Sequence, residues 1–515
     1  MSGLAGVREE AGVWSFEAPD EATTSAIAAA MAAWLEPGDF VALTGDLGAG
    51  KTAFARAVIR YLAGDSSIEV PSPSFTLVQT YELPRFALVH ADLYRLSGSA
   101  ELAELGFEDL PEGTVVLLEW PDRAAGFLPP DRLDIAFTLA PQLGADFRNV
   151  RVVGYGRFAQ RAERIGQVRT FLDEWGFGDA HRRRMQGDAS TRTFERLLLD
   201  DQRTILMNAP RRADGPPVRD GKPYSAIAHL AEDILPYVAV AAGLRDHGLS
   251  APTILHADLA HGFVIMEDLG EDPIVHGDPP APIGVRYQAA VDLLASLHGQ
   301  PLPAVLHVAP DLDYRLPHYD MEAFLIEAEL LLDWYLPSVR VTVTDRVRED
   351  FCGLWREALT PAMEEPPSWV LRDYHSPNLM WLPRREDNAR IGLLDFQDAL
   401  MGPAAYDVAS LLQDARVDVP ETLEVELLSR YARFRRAEDR HFDMASFTRL
   451  YATLTVQRAT KILGIFARLD RRDGKPQYLR HMPRLWAYLQ RSLAHPALVP
   501  LRAWYAANVR LRDGL

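Results

Sequence analysis

Cysteine is almost missing: Cys352 is the only one in 515 residues. That excludes an intramolecular disulfide framework and any cysteine-rich zinc or iron–sulfur site, and it fits a reducing compartment. Lysine is nearly as scarce. Lys51, Lys222, Lys461 and Lys475 stand against fifty arginines, so any motif that demands lysine is checked almost by inspection. No apolar run approaches the ~18 residues that span a bilayer; Ile27–Leu35 and Tyr237–Leu244 are far shorter. The opening residues carry Glu9 and Glu10 and lack the basic-then-apolar pattern of an export signal. The expectation is a soluble cytoplasmic protein without membrane contact. Positive charge is also short: 54 basic against 72 acidic side chains give a net charge of −18, which disfavours a nucleic-acid or anionic-membrane binder. No internal repeat or low-complexity tract is present.

What is present is ordinary globular material, 48% apolar and 24% charged, long enough for two to four domains at ~100–200 residues each. The acidity is uneven. Residues 1–160 hold 11 basic and 22 acidic side chains. Short apolar runs alternate there with helical segments: Phe40–Thr44, a glycine-rich turn, a helix over Thr52–Leu62, then strands at Phe86–Val89, Thr114–Leu118 and Leu133–Leu139. This predicts an α/β domain with a parallel sheet. From Asn149 to Arg164 the chain turns basic and irregular, which predicts a junction. Beyond it come a glycine-containing turn at Gly187–Arg192, a strand at Thr204–Met207, a Gly/Pro loop at Asp214–Pro223 and a helix over Ala226–His247. A strand at Phe263–Met266 follows, then long amphipathic helices interrupted by Ser368–Leu371 and Ile391–Leu394. A small mixed lobe followed by a helical lobe is a bilobal α+β arrangement. The expected division is a first domain over 1–155, a junction at 156–165 and a second domain over 166–515, with the small lobe at about 166–270 and the helical lobe at about 271–515.

Two constellations carry chemistry. Gly45, Asp46, Leu47, Gly48, Ala49, Gly50, Lys51 and Thr52 satisfy G-x-x-x-x-G-K-[ST] between an apolar strand and a helix. Glycines there let backbone N–H groups turn toward phosphate oxygens, a lysine reaches the outer phosphates, and a hydroxyl can ligate Mg²⁺. Two later strands end in acids, Asp92 and Glu119, suited to holding Mg²⁺ or orienting water.

The run resembles the TsaE family, on Gly45–Thr52, Ser72–Leu77, Asp92–Leu96, Glu101-Leu102 with Leu105-Gly106, and Glu119–Pro121. The match covers roughly residues 15–140, with Ser74 standing where the family has threonine. The resemblance implies a P-loop ATPase of tRNA N6-threonylcarbamoyladenosine synthesis, working with TsaB and TsaD proteins. It assigns Lys51 and Thr52 to phosphate and Mg²⁺, and Thr76, Asp92 and Glu119 to the catalytic surroundings. A domain this acidic is not expected to grip tRNA directly.

The second constellation is Leu371–Leu379 followed by Ile391–Phe396. D-x-x-x-x-N, then an apolar strand ending in Asp-Phe, is the spacing of a kinase-like catalytic loop. Asp373 would accept the proton of the acceptor hydroxyl, while Asn378 and Asp395 would hold Mg²⁺ on ATP. Leu371 stands where kinases have histidine. His375, two residues after the base, reads as a metal ligand, a packing residue or a substrate contact. Asp407 reads either as a buried acid tying down the loop or as a helix cap. Ser190, Thr191 and Arg192 would cover the phosphates, and Glu267–Gly270, with Glu267 and Leu269, would form the hinge contacting adenine. The strand Thr204–Met207 lacks the lysine that kinases place there, leaving Arg192 or Arg203 as substitutes of different geometry.

Residues of about 165–510 resemble the aminoglycoside phosphotransferase superfamily. Within it, Gly187–Arg192, Glu267–Gly270, Leu371–Leu382 and Asp395–Pro403 are most similar to AmgK, whose sequences share the missing lysine. The resemblance implies ATP-dependent phosphorylation of the C1 hydroxyl of N-acetylmuramate or N-acetylglucosamine in cell-wall recycling, with His375 and Asp398 near the amino sugar. An alternative keeps the kinase but gives it choline, ethanolamine, homoserine or an aminoglycoside, with the first domain as a nucleotide-sensing module.

Overall fold

A computed structural model describes residues 7–10, 12–96, 106–124, 126–185, 192–211 and 215–510. The chain gathers into two compact units, Met1–Ala209 with Phe263–Ile265, and Pro210–Gly262 with Met266–Leu515.

The first unit is built on an eight-stranded sheet. Its strands are β1 (Val7–Glu10), β2 (Val13–Ala18), β3 (Phe40–Gly45), β4 (Val78–Glu82), β5 (Ala87–Asp92), β6 (Val115–Glu119), β7 (Arg132–Leu139) and β8 (Arg148–Tyr155), in the order β1-β2-β8-β7-β3-β6-β5-β4. The middle four, β5, β6, β3 and β7, are parallel, and both flanks are antiparallel. β6, most of β5 and the middle of β3 are buried on both faces, which is why they read as largely apolar runs. Helices α1 (Glu21–Ala32) and α2 (Lys51–Ala63) bury Ile27, Met31, Phe54, Val58 and Ile59 against Val41, Leu43, Leu117 and Ile135. A second cluster of Val89, Ala91, Leu93, Val116 and Leu118 lies apart from that core.

The irregular junction expected at 149–164 is corrected. Arg148–Tyr155 is a strand paired with β2 and β7, and Arg157–Glu174 is one 18-residue helix. The apolar residues Phe158, Ala162, Ile165, Val168, Phe171 and Leu172 recur at helical spacing and are buried. The arginines that disguised this pattern are paired: Arg161 reaches Glu36 at 2.6 Å and also Asp39. Gly166 permits the fit, because a Cβ there would lie 1.8 Å from the Trp14 ring. The helix serves two cores. Phe158 and Ala162 belong to that of the large sheet; Val168, Phe171 and Leu172 pack with Leu197, Leu206, Phe263 and Ile265.

Those last residues come from a smaller antiparallel sheet of β9 (His181–Arg184), β10 (Thr193–Leu199) and β11 (Gln202–Asn208), with Phe263–Ile265 beside β11. Arg182 and Glu195 form a buried two-pronged ion pair within it, at 2.7 and 2.8 Å. Gly187–Thr191, and with them Ser190 and Thr191, lie outside the described residues, as do Glu101, Leu102 and Leu105. Arg192 directly precedes β10.

The second unit is largely helical. The single helix expected over Ala226–His247 is two, Tyr224–Ile227 and Leu235–Asp246. His229 in between is left-handed (φ 51°), and Asp233 caps the N–H of Leu235, next to Pro236. Helix Met444–Asp473 is buried along most of its length and runs through the centre of this unit. Two short antiparallel pairs hold the segments that flank Asp373 and Asp395: Ser368–Val370 with Leu400–Gly402, and Leu379–Trp381 with Ile391–Leu393.

Two candidate active sites

In the first unit, β3 ends at Gly45 and α2 opens at Lys51, straight after Gly50 in a left-handed conformation (φ 110°). Asp46, Leu47 and Gly48 are exposed, while Ala49 is buried, its carbonyl accepting from Arg148 at 2.9 Å. Lys51 Nζ donates to the carbonyls of Gly45 and Asp46 at 2.7 and 2.9 Å and lies 3.9 Å from the centre of the Trp120 ring. Burial pushes the Lys51 pKa down, against the opposing pull of Glu119 and Asp92.

Strand register brings the acids in. Asp92 is opposite Glu119 across the parallel pair β5–β6, and both are almost fully buried. Glu119 accepts from Thr52 Oγ1 at 3.0 Å and lies 2.9 Å from His90 Nε2. Asp92 accepts from Ser74 Oγ at 2.7 Å and the Tyr94 N–H at 2.9 Å, so serine performs the hydroxyl's task there. Thr76 is exposed in the adjoining turn. A hydroxyl and two carboxylates beyond a loop of left-handed glycines are a donor set that fits a magnesium nucleotide.

In the second unit, Asp373 sits at a strained corner. Arg372 before it has φ 69°, a conformation a non-glycine residue keeps only when its surroundings enforce it. Asp407 does the enforcing: fully buried, it accepts the N–H groups of Leu371 and Arg372 at 2.6 and 2.9 Å. It is therefore the buried tie rather than a simple helix cap. Burial raises its pKa to about 7 against those hydrogen bonds. Asp373 keeps 36% of its side chain exposed, with His375 Nε2 3.7 Å from its carboxylate. Burial pushes the Asp373 pKa up, yet His375, Lys461 and Arg458 outweigh it and hold the carboxyl well below the usual range. It is thus an ionised acceptor at neutral pH.

Asn378 Nδ2 donates to the Asp373 carbonyl at 3.0 Å, and the Leu394 N–H donates to the Asn378 carbonyl at 2.9 Å. That register sets Asn378 beside the turn to Asp395, itself left-handed (φ 56°) and accepting from Gln397 at 3.1 Å. One amide oxygen and one carboxylate at this corner fit a cation bridging phosphate oxygens. Asp398 is tied to the Ala231 N–H at 2.6 Å, a tether between two loops. Glu267 accepts from Thr253 Oγ1 at 2.9 Å and pairs with Arg385, and Leu269 is buried against Gly392; any adenine contact from these two is left to their backbone.

Three acids here have no motif. Asp414 accepts both N–H and Oγ of Ser376, at 2.9 and 2.6 Å. Glu424 accepts from Gln413 and Tyr451 at 2.8 and 2.7 Å. Glu327, fully buried, pairs with Arg372 and with Lys461 at 2.7 Å. The only sequence signal was the rarity of lysine.

The folds and sites together define a P-loop NTPase domain joined to an α+β protein-kinase-like phosphotransferase. Residues 18–144 match the family described as threonylcarbamoyl adenosine biosynthesis protein TsaE, and residues 181–446 match the phosphotransferase enzyme family. An N-acetylmuramate/N-acetylglucosamine kinase of Caulobacter vibrioides is 37% identical over 67% of this chain and 96% of its own. The protein of that name from Pseudomonas aeruginosa is 33% identical over 61% and 84%. A Rickettsia bellii tRNA threonylcarbamoyladenosine biosynthesis protein TsaE is 41% identical over 23% of this chain and 82% of its own. The chain therefore belongs to the N-acetylmuramate/N-acetylglucosamine kinases of the phosphotransferase family, carrying a TsaE-family domain at its amino-terminal end. Both resemblances read from the sequence are borne out, and both halves belong to ATP-using enzyme families.

Proposed function

We propose that this protein is a cytoplasmic bifunctional enzyme. Residues 1–155 would hydrolyse ATP in support of tRNA N6-threonylcarbamoyladenosine synthesis with TsaB- and TsaD-type partners. Residues 166–515 would phosphorylate the anomeric hydroxyl of N-acetylmuramate and N-acetylglucosamine. The observation that carries the kinase reading is the corner where an ionised Asp373 stands on an Asp407-braced loop beside Asn378.

Asp373 accepts the proton of the sugar C1 hydroxyl as its oxygen bonds to the γ-phosphorus and the bond to ADP breaks. An anomeric hydroxyl is more acidic than the other hydroxyls of the ring, so a weakly basic carboxylate suffices. Asn378 and Asp395 would hold Mg²⁺, which supplies charge neutralisation on the transferring group. In the first domain Lys51 would meet the phosphates, Thr52 would ligate magnesium, and Asp92 and Glu119 would orient the attacking water. Net negative charge leaves the grip on tRNA to the partner proteins.

The test incubates the full chain with ATP, Mg²⁺ and a panel of N-acetylmuramate, N-acetylglucosamine, choline, homoserine and kanamycin, read by phosphorus NMR. Sugar 1-phosphates are expected. A C6 phosphate, or phosphorylation of a non-sugar alone, overturns the acceptor assignment. Asp373→Asn should abolish turnover and spare ATP binding.

The junction helix favours a second reading, in which nucleotide on the P-loop also tunes the kinase, because one helix is packed into both cores of the first unit. Lys51→Ala with unchanged sugar phosphorylation would dismiss it.

A further inference from the structure

Glu119 is the carboxylate on which the ATPase reading leans most, and its closest side-chain partners are two. Thr52 Oγ1 donates to one oxygen at 3.0 Å. His90 Nε2 lies 2.9 Å from the other, and that histidine is fully buried (0% exposed) in β5. Its remaining ring nitrogen, Nδ1, is buried without a hydrogen-bond partner. A carboxylate oxygen accepts, so the arrangement is satisfied by a ring that carries a proton on Nε2. The alternative tautomer would set a lone pair against the carboxylate and leave a buried N–H unbonded.

From this geometry we propose that His90 is a positioning residue for ATP hydrolysis: its Nε2–H fixes one oxygen of Glu119 so that the other stays aimed at Thr52 and the phosphate loop. The inference rests on the ATPase reading of this site and adds to it a residue that does not itself touch the nucleotide. His90 and Asp92 are two apart on β5 and so project to the same face, with Asp92 opposite Glu119. One strand thus supplies both a carboxylate for the site and the brace for the carboxylate of its neighbour. Glutamate has three side-chain torsions, and Glu119 is only 2% exposed. Deprived of His90, its free oxygen would have neither water nor a donor where it now lies, and the group would turn away to find one. Thr52 has a second claim on its hydroxyl once a nucleotide arrives; His90 has none.

The full chain is compared with His90→Gln, His90→Asn, Glu119→Gln and the His90→Asn/Glu119→Gln double variant. Readouts are hydrolysis at saturating ATP, nucleotide affinity by calorimetry with and without magnesium, and the melting temperature. A glutamine amide nitrogen reaches the position of Nε2, whereas asparagine reaches only that of Nδ1. His90→Asn should slow hydrolysis by ~10- to 100-fold, the size of one hydrogen bond to a charged group, with affinity unchanged within about twofold. His90→Gln should recover most of the rate, and His90→Asn should change nothing further once Glu119 is glutamine. Equal damage from the two His90 variants, or a further loss in the Glu119→Gln background, overturns the proposal. Should His90→Asn fail to fold, a well-folded but slow His90→Gln overturns it equally. Lys51→Ala separates the two levels: a variant that still binds nucleotide at two sites, both with unchanged affinity, would remove the ATPase reading itself, whatever the His90 variants do.

Discussion

Glu327→Gln removes one negative charge from the cluster behind the kinase corner. Glu327 is fully buried and pairs with Arg372 and with Lys461 at 2.7 Å, and it accepts from Tyr319 and from Gln457 at 3.3 Å. Burial alone would raise its pKa; Arg372 and Lys461 outweigh that and lower it from 4.5 to about 2. At ~1.4 kcal/mol per unit the gap is worth ~3 kcal/mol, at the lower end of the ~3–5 kcal/mol lost when one partner of a buried pair is deleted. Because the folded pKa is lowered, this stabilisation is present above the unfolded pKa of about 4.5 and is lost as pH falls through about 2. The variant should therefore be destabilised equally at pH 6 and pH 8, with the difference narrowing only below about 4.5. At roughly 2–4 °C per kcal/mol, calorimetry of the full chain should show the transition of the second unit ~6–12 °C lower. Lys461→Met combined with Glu327→Gln should cost less than the two separately, since they share one interaction. A loss below ~1 kcal/mol, strict additivity, or a difference that widens on acidification would refute the reasoning. Arg372 forms the strained corner before Asp373, so sugar phosphorylation should fall as well.

Asp407→Asn retains one acceptor for two N–H groups and should slow the kinase while leaving P-loop nucleotide binding intact, measured by paired kinase and calorimetric assays. Its folded pKa is raised to about 7, so the stability the acid contributes is complete below about 3.8 and is lost as pH rises through 7. Denaturant titrations should accordingly find Asp407→Asn more damaging at pH 5 than at pH 8. Lys51→Ala should weaken ATP and ADP binding to the first domain by ~100-fold or more by calorimetry, through loss of the charge facing the triphosphate. Gly166→Val sets side-chain atoms where the Trp14 ring lies and should destabilise the fold by ~1–3 kcal/mol, read as a lower melting temperature. An unchanged melt would mean that the junction helix does not seat on β2.

Much of both sites is readable along the chain because the chemistry is local. A phosphate loop needs its glycines, lysine and hydroxyl within eight consecutive positions, since backbone N–H groups must surround one anion. Asp373 and its amide partner Asn378 are five residues apart, on one loop, for a similar reason. The central strands β3 and β6 are legible too: β6 is buried at every position, β3 through its middle, and both are almost continuously apolar. Two readings went wrong, one where burial depended on a second surface and one at a local turn. Arginines interrupt the apolar pattern of Arg157–Glu174, and only the carboxylates of Glu36 and Asp39 make that helix intelligible. The helix expected over Ala226–His247 breaks because His229 and Asp233 adopt turn conformations that helical periodicity does not encode.

The sequence by itself determined the two reactive loops, the order of the two families and the net negative charge of the first domain. Tertiary structure alone decided which distant groups support those loops. His90 meets Glu119 across 29 residues because β5 lies beside β6. Asp414 meets Ser376 across 38 residues, and Glu327 joins Arg372 across 45. A buried charge has no signature of its own in sequence: it is tolerated only where an opposite charge is delivered by another element, and strand order and helix packing make that delivery.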